Sequence, residues 1–326
     1  MDAAIDWLMQ GDPAIRWQTE RDLCDAPARR WQRTRRETAE SGWGAGLLAR
    51  QDRAGTFGGG LYSPKWTSTT YTLLALIAIG IPPDNEAARR AAEICVSRQL
   101  GARAGDDFTR AVARMDRCVV GMMLAIAIYF GLDAKRIAAM LDNVLAEAFA
   151  DGGWNCRRGR ARPEPTHSSF HTTFNVLDGL REYIERGSGP RLEEAAAAER
   201  RATEFMLAHR LYKSHRTGAE IDRRFALLAF PPRWHYDALR GLDYFARANA
   251  PYDARFADAI ELLQRHRHDD GTWPVQHKYG GKVFFEMEKI GKPSRWNTLR
   301  ALRVLRWWDA QSGTRGKSRA ARKAAA

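Results

Sequence analysis

The sequence has few cysteines and no apolar run long enough to cross a membrane. Four cysteines in 326 residues are too few for the framework of a disulfide-rich secreted domain, and no signal peptide precedes Asp12. The longest apolar run, Val119 to Leu132, is interrupted by Gly121 and Gly131 and predicts a buried helix. We therefore expect a cytoplasmic protein with no membrane span, and the sequence indicates no obligate protein partner.

Acidic residues are also in deficit. The chain has 52 Lys and Arg against 39 Asp and Glu, a formal net charge of +13 that arises mostly from arginine. Such a surface attracts polyanions, so DNA or another polyanion is the expected partner. The alternative is that the arginine content reflects coding composition and serves no ligand.

Strand-like alternation of polar and apolar residues is nearly absent, and the sequence shows a helical repeat instead. Six segments share a Pro-, Gly- or Ser-rich approach, a basic residue or histidine, usually an aromatic residue, and then an apolar helix. They recur about every 50 to 60 residues, which suits two helices and two loops per repeat. The segments begin at Asp12, Ser63, Arg114, Pro165, Pro231 and Pro293. More polar helices are expected between them, at about 28–50, 85–99, 135–150, 191–209 and 254–267.

Two motifs resemble protein prenyltransferase β subunits. FHTTFNVLDGL, at 170–180, resembles the segment that supplies a zinc-binding histidine in those enzymes, and Asp116-Arg117-Cys118 resembles their Asp-x-Cys pair for the same zinc. The segments 51–57 and 264–273 resemble the QW turns of squalene cyclases. These two enzyme families belong to one superfamily. Together with the helical repeat, the motifs extend the resemblance to that superfamily over roughly residues 5–310. The sequence departs from the cyclases because it lacks their Asp-x-Asp-Asp acid. Prenyltransferases, for their part, work with a second subunit, which a single chain does not show.

The resemblance implies an all-α fold, an α/α toroid (barrel) of about six helical hairpins with long loops at one mouth. Residues 1–311 are expected to form this single domain. Residues 312–326 are a low-complexity basic segment, for which we expect a disordered tail that can lie on a polyanion.

In such a toroid the inner helices are roughly parallel, so their first turns converge at one mouth. Helix starts carry partial positive charge and free N–H groups, and added cations make the mouth an anion site. Aromatic residues beside them provide platforms on which an extruded base can stack. The candidate substrate-binding residues are Arg16, Trp17, Lys65, Trp66, Arg114, His167, Arg233, Trp234, His235, Tyr236, Arg295 and Trp296. The alternative is that the tryptophans pack between repeats and the arginines lie over them.

Four residues have the side chains that zinc prefers: Asp116, Cys118, Cys156 and His171. Cys118 and His171 begin adjacent inner helices, and closure of the loop after Cys156 is expected to bring that thiol near His171. The resemblance to prenyltransferases implies the same zinc. The alternative is a buried free cysteine and a histidine that serves packing.

Carboxylates near the mouth are candidates for activating water or stabilising an oxocarbenium ion. Asp237 follows the aromatic residues of the fifth repeat, and Glu286 lies in the loop before Arg295. We select these two as catalytic residues. The alternative is that each pairs with the surplus arginine.

Three functions are compatible with these patterns. The one we favour from sequence is a DNA-binding hydrolase that extrudes a modified base and cleaves its N-glycosidic bond, a DNA glycosylase-like activity in repair or defence. The resemblance implies a second, a prenyltransferase or terpenoid-cyclase-like enzyme that acts on an isoprenoid diphosphate. The third is a toroid that binds nucleic acid without catalysis.

Overall fold

The computed structural model describes residues 2–100, 107–156, 164–186 and 189–324. In these residues the helices are α1 (Asp2–Met9), α2 (Pro13–Asp22), α3 (Ala28–Arg36), α4 (Gly42–Leu48), α5 (Thr69–Ile79), α6 (Glu86–Leu100), α7 (Phe108–Arg114), α8 (Arg117–Tyr129), α9 (Ala134–Ala146), α10 (Phe170–Arg186), α11 (Leu192–Ala208), α12 (Ala238–Arg247), α13 (Ala257–Arg265) and α14 (Arg295–Ala324). Short 3₁₀ turns lie at Glu37–Ala39, Arg223–Ala226 and Ala254–Phe256. Two short strands, β1 (Trp273–Pro274) and β2 (Pro293–Ser294), pair antiparallel.

The helices form two concentric rings, as the α/α toroid requires. In the described residues six helices, α2, α5, α8, α10, α12 and α14, form the inner ring, and α8 is buried at every position except Cys118. The outer helices bury one face only; α9, for example, buries Met140, Leu141 and Val144. Helix α14 packs against both α12 and α2, so the last inner helix closes the ring on the first. The predicted fold class is confirmed.

In three of the repeats a glycine-aromatic turn precedes the inner helix. Gly55, Gly152 and Gly271 have φ values of 85°, 95° and 82°, a left-handed conformation that favours glycine. Two residues later Phe57, Trp154 and Trp273 are completely buried. The backbone N–H of each donates to a threonine hydroxyl in the next inner helix, at 2.9–3.0 Å, on Thr69, Thr173 and Thr298. This turn fixes where each of these inner helices starts.

The loops lie mostly at one end of the ring. The segments that lead into α5, α10, α12 and α14 are long, whereas those that leave the inner helices are short, such as residues 130–133 before α9. Long loops at one mouth were predicted, and they cover the N-terminal ends of the inner helices. We call this end the N-terminal face.

Two expected elements differ from the structure. The predicted helix at 28–50 is divided into α3 and α4, because Gly42 has φ 67° and interrupts the helical conformation. Helix α14 continues to Ala324 and includes most of the segment for which we expected no regular structure. Alanine, arginine and lysine all have high helix propensity, which favours this continuation.

Within the described ranges, no helix combines the length and the apolar character needed to span a bilayer.

Candidate functional site

A cavity of about 500 Å³ lies in the axis of the ring, and every one of the inner helices contributes to its lining. Its volume is within the ~300–1,000 Å³ range of small-molecule sites. One wall is apolar and comes mainly from α5, with Leu74, Ile77 and Ile79. The opposite wall comes from α10, α12 and α14 and is charged. We call this space the axial cavity.

The charged wall has more arginines than carboxylates. Among the described residues that line the axial cavity, nine are arginines and four are carboxylates. The arginines are Arg21, Arg35, Arg181, Arg186, Arg233, Arg240, Arg247, Arg300 and Arg303, and the carboxylates are Asp178, Glu182, Glu185 and Asp243. Such a wall attracts an anion.

Part of this charge holds the ring closed. Arg303 of α14 donates to Asp243 of α12 at 2.6 Å and to Asp22 of α2 at 2.8 Å. Burial alone would raise the pKa of the Asp243 carboxyl, but Arg303 and Arg300 outweigh burial and lower this pKa. Both partners are ionised at neutral pH, so α14 is bound to its neighbours on both sides by a buried ion-pair network.

Other lining arginines are also neutralised. Arg240 pairs with Asp178 at 2.5 Å, and Arg181 pairs with Glu199 at 3.0 Å. Arg35 differs from these two: among the described residues it donates only to neutral oxygens, the Gly80 carbonyl at 2.8 Å and the Tyr129 hydroxyl at 2.8 Å.

Three lining arginines, Arg35, Arg233 and Arg247, form no ion pair with any carboxylate in the described part of the chain. They lie at two ends of the cavity. Arg247 is the last residue of α12, and Arg35 lies against Gly80 at the C-terminal end of α5. Arg233 lies at the other end, below the N-terminal face. Although burial opposes the shift, Asp243, Glu185 and Glu182 raise the pKa of Arg247 from a distance, and an anion in the cavity would add to this compensation at either end.

Arg233 is the most unusual of these residues. Its backbone has φ 59°, in the left-handed region that few side chains adopt without strain. Its guanidinium lies 5.6 Å from the centre of the Trp66 ring. Burial lowers the pKa of Arg233 to about 10. It also lines a second cavity of about 230 Å³, with Tyr71, Lys278 and Glu286, so Arg233 borders both spaces.

Two further groups in the axial cavity are chemically notable. Arg300 is 5% exposed, and its Nη1 has no hydrogen-bond partner among the described residues. Burial raises the pKa of the Glu182 carboxyl, although Arg247 and Arg186 oppose the shift. A carboxyl group with a raised pKa in a cavity is a candidate general acid or base.

The N-terminal face is filled by stacked rings. Trp234 stacks on His235 with ring centres 3.8 Å apart, and His235 stacks on Tyr279 at 3.5 Å. The Lys65 ammonium lies 5.2 Å from the Trp234 ring and 5.5 Å from the Trp66 ring. The structure therefore brings these predicted binding residues together, but as rings packed on each other.

Two buried histidines of this face, His171 and His235, are uncharged at neutral pH. Burial lowers the pKa of His171 to about 4 and that of His235 to about 3. His171 Nδ1 accepts the backbone N–H of Tyr236 at 2.9 Å, which fixes the ring with its proton on Nε2. Neither histidine adds positive charge to the mouth.

The other predicted cations do not converge on one mouth. Arg16 pairs with Glu37 at 2.6 Å, and Arg295 donates to the Trp7 carbonyl at 3.0 Å. Arg114 ends α7 and is exposed, and His167 is exposed before α10.

Trp17 and Trp296 are buried and line the axial cavity. The Trp17 indole N–H donates to the Ile79 carbonyl at 2.8 Å, and Trp296 stacks on Phe230 with ring centres 4.9 Å apart. Both tryptophans therefore pack between repeats and also face the axis.

The selected carboxylates occupy different environments. Asp237 is 1% exposed and accepts the backbone N–H of Arg240 at 2.8 Å, which caps α12. The neighbouring Tyr236 is completely buried, and its hydroxyl donates to the Leu211 carbonyl. Glu286 is exposed, pairs with Lys278 and lines the second cavity. Of the two carboxylates, Glu286 is the one that a ligand at the N-terminal face can reach.

The predicted zinc ligands come together only in part. The sulfur atoms of Cys118 and Cys156 are 3.0 Å apart, and Asp116 is exposed beside them at the start of α8. The ring of His171 packs instead against Trp234 and Phe225. Across the described ranges, no three His, Cys, Asp or Glu side chains are grouped so as to hold a metal ion. This donor set does not fit a zinc site with His171 as a ligand, and zinc stays a prediction.

The two thiols influence each other. The hydrogen bond between the two sulfur atoms lowers the pKa of the Cys156 thiol to about 7, and the same contact, with burial, raises the pKa of Cys118.

Sequence reasoning missed the arginines of the axial cavity other than Arg233. A usable signal was present, since Arg300 and Arg303 are three residues apart in the first turns of α14, and Arg240 and Arg247 share one face of α12. Charges in a stripe on an inner helix point to the axis because the other faces pack against neighbours.

Comparison with known proteins identifies solved structures with a similar arrangement of helices. No protein-family model and no curated protein sequence matches the chain. A polysaccharide lyase matches with 12% identity and a TM-score of 0.45, over 93% of this chain and 88% of that one. A family 88 glycosyl hydrolase from Bacteroides vulgatus matches with 12% identity and a TM-score of 0.43, over 92% and 93%. A type II terpene cyclase from Scytonema matches with 14% identity and a TM-score of 0.43, over 93% and 94%. At such identities and scores the likeness does not extend to a reaction or a substrate.

Proposed function

We propose that the chain is an enzyme that binds an amphiphilic diphosphate, of the isoprenoid diphosphate class, in the axial cavity and breaks its carbon–oxygen bond. The observation that supports this proposal is the division of one cavity into an apolar wall and a wall of arginines. An apolar chain fits along α5, and a diphosphate group at one end of the cavity satisfies the arginine or arginines there that have no ion pair.

The same geometry supplies what bond cleavage needs. When the carbon–oxygen bond breaks, the diphosphate leaves with the electron pair, and fixed cations stabilise its growing charge. The carbon fragment becomes cationic, and aromatic faces such as Tyr71 and Trp296 in the cavity lining can stabilise it. Water or a double bond of the substrate then captures the cation. Glu182 is the candidate group to accept the released proton.

The test is turnover. Purified protein is incubated with farnesyl or geranylgeranyl diphosphate in buffer with magnesium; released diphosphate is measured, and organic products are identified by mass spectrometry. We expect consumption of at least one substrate. Consumption of neither, by protein that is folded by circular dichroism, contradicts the proposal.

Two matched variants locate the diphosphate. Arg247→Gln removes an unpaired cation at one end of the axial cavity, and Arg233→Gln removes one at the other end. We expect one of them to reduce kcat/KM by about 10²-fold, since removal of one charge-stabilising donor typically costs that much. Neither forms an ion pair among the described residues, so folding stability should be retained.

The second candidate is the release of a base from DNA, for which the supporting observation is the net charge of +13 together with the Trp234–His235–Tyr279 stack beside Lys65. It predicts DNA binding that weakens steeply with salt. Deletion of residues 313–326 should then weaken binding and flatten the salt slope, and Glu286→Gln should abolish base release without affecting DNA binding. Binding that ignores salt contradicts this candidate.

A further inference from the structure

Cys118 and Cys156 form a thiol pair at the N-terminal face. Cys118 is the second residue of α8, and Cys156 lies two residues beyond the buried Trp154. Their sulfur atoms are 3.0 Å apart, which is within van der Waals contact. Cys156 also lies 3.3 Å from the Thr172 hydroxyl in the first turn of α10.

The position of each thiol is fixed by the core around it. Helices α8 and α10 approach closely because Gly121 and Gly179 have no side chain; a Cβ on Gly121 would lie 2.5 Å from the Asn175 carbonyl oxygen. Trp154 is anchored by its indole N–H, which donates to the Val144 carbonyl at 2.7 Å. The close contact of the thiols therefore follows from rigid packing and not from a chance rotamer.

The pair is also open to reagents. Cys118 and Cys156 are both partly exposed, whereas Cys95 is completely buried. Cys24 is exposed, on a different part of the ring, after α2. The chain thus contains one partly exposed pair of thiols and two cysteines that serve as controls: Cys95, which is buried, and Cys24, which is exposed and lies apart from the pair.

We propose that Cys118 and Cys156 are a reversible disulfide site, oxidised by a hydroperoxide and reduced by a thiol. The Cys156 thiolate attacks the peroxide oxygen and becomes a sulfenic acid, releasing an alcohol or water. The Cys118 thiolate then attacks the sulfenic sulfur, and the sulfur–oxygen bond breaks to release water. Two thiols and one hydroperoxide give one disulfide, one alcohol and one water. This inference does not depend on the proposed function.

The bond would connect two neighbouring repeats. It would join the start of α8 to the segment that enters α10, and so enclose most of α8, all of α9 and their loops in a covalent ring. Such a ring removes conformational freedom from the unfolded chain. The oxidised protein should therefore unfold at a higher temperature than the reduced protein, and the N-terminal face should become more rigid.

The test uses the full chain treated with hydrogen peroxide. We expect the intact mass to fall by two hydrogen atoms and peptide mapping to show a bond between Cys118 and Cys156. Dithiothreitol should restore the original mass. Cys118→Ser and Cys156→Ser should each abolish the bond, and Cys24→Ser should leave it unchanged.

Three results overturn the proposal. One is a disulfide between molecules through Cys24 in place of a bond between Cys118 and Cys156. Another is oxidation of Cys156 to a sulfinic acid without a bond to Cys118. The third is a pair that resists peroxide until a chelator removes zinc, which would assign the thiols to a metal site. Peptide mapping of the wild-type chain decides among them even if the serine variants fold poorly.

Discussion

The N-terminal face and the axial cavity use the same residue types in opposite ways. At the N-terminal face the arginines are held locally, Arg16 by Glu37 and Arg295 by the Trp7 carbonyl, while the rings stack on one another. In the axial cavity most of the arginines project from the middle and far ends of inner helices toward a shared space, while Arg35 comes from α3 and Arg233 from the segment before α12. Arg35, Arg233 and Arg247 form no ion pair with a carboxylate among the described residues.

The difference has a physical basis. A cation at a helix start opposes the helix dipole and is stabilised when a nearby acceptor or ring compensates it. The other faces of an inner helix are packed against neighbouring helices, so a charged side chain in its middle is accommodated best where it faces the axis. A basic residue therefore indicates a binding site more reliably on the axial stripe of an inner helix than at its first residue.

The largest effect is expected where the cavity's charges hold the ring closed. Arg303→Met leaves Asp243 and Asp22 buried without their shared partner, and loss of one member of a buried network costs about 3–5 kcal/mol. Urea unfolding measures this loss. Arg306→Met is the matched control, one turn further along α14, because Arg306 pairs with Asp25 at the surface. It should cost under about 1 kcal/mol; equal losses would contradict a special role for the network.

A medium effect is expected from pH at the N-terminal face. The folded-state pKa values of His171 and His235, about 4 and about 3, lie below the value near 6.5 of an unfolded histidine. Between these values the unfolded chain binds more protons, so stability falls as the pH is lowered from about 6.5 to 4. For His171 the loss is about 1 to 3 kcal/mol.

Thermal unfolding of wild type and His171→Gln over this pH range measures the effect. The variant should have a flatter profile, since its side chain does not titrate. Parallel profiles for the two proteins would show that His171 carries no part of the pH dependence.

The smallest effect is expected from the predicted mouth cation Arg16. Arg16→Gln breaks a partly exposed ion pair, which is worth about 0–1 kcal/mol. Turnover of a diphosphate should be unchanged, because Arg16 does not line the axial cavity. A large loss of turnover would indicate that the substrate binds at the N-terminal face, and it would contradict the distinction drawn between the two regions.

Much of the fold follows from the sequence. The spacing of apolar segments, the glycine-aromatic turns at Gly55, Gly152 and Gly271 and the wholly apolar 119–130 stretch are local signals, and local chemistry is enough to specify inner and outer helices.

The site was harder to predict because it depends on distant contacts. Asp237 is a helix cap and Tyr236 a core residue, yet their types and spacing resemble a binding motif. The ion pairs that decide which arginines stay free, such as Arg303 with Asp22, join residues at opposite ends of the chain. Such long-range ion pairs cannot be predicted from residues that are neighbours in the sequence.

The central claim is that the axial cavity binds an amphiphilic anion, and isothermal titration tests it most directly. Farnesyl diphosphate and farnesol are titrated into the wild-type chain and into Arg233→Gln and Arg247→Gln. We predict that the diphosphate binds at least about tenfold more tightly than the alcohol, and that one variant weakens diphosphate binding by about tenfold, or ~1.4 kcal/mol, without affecting the alcohol. Equal affinity for the two ligands, or diphosphate binding that neither variant changes, would contradict the claim.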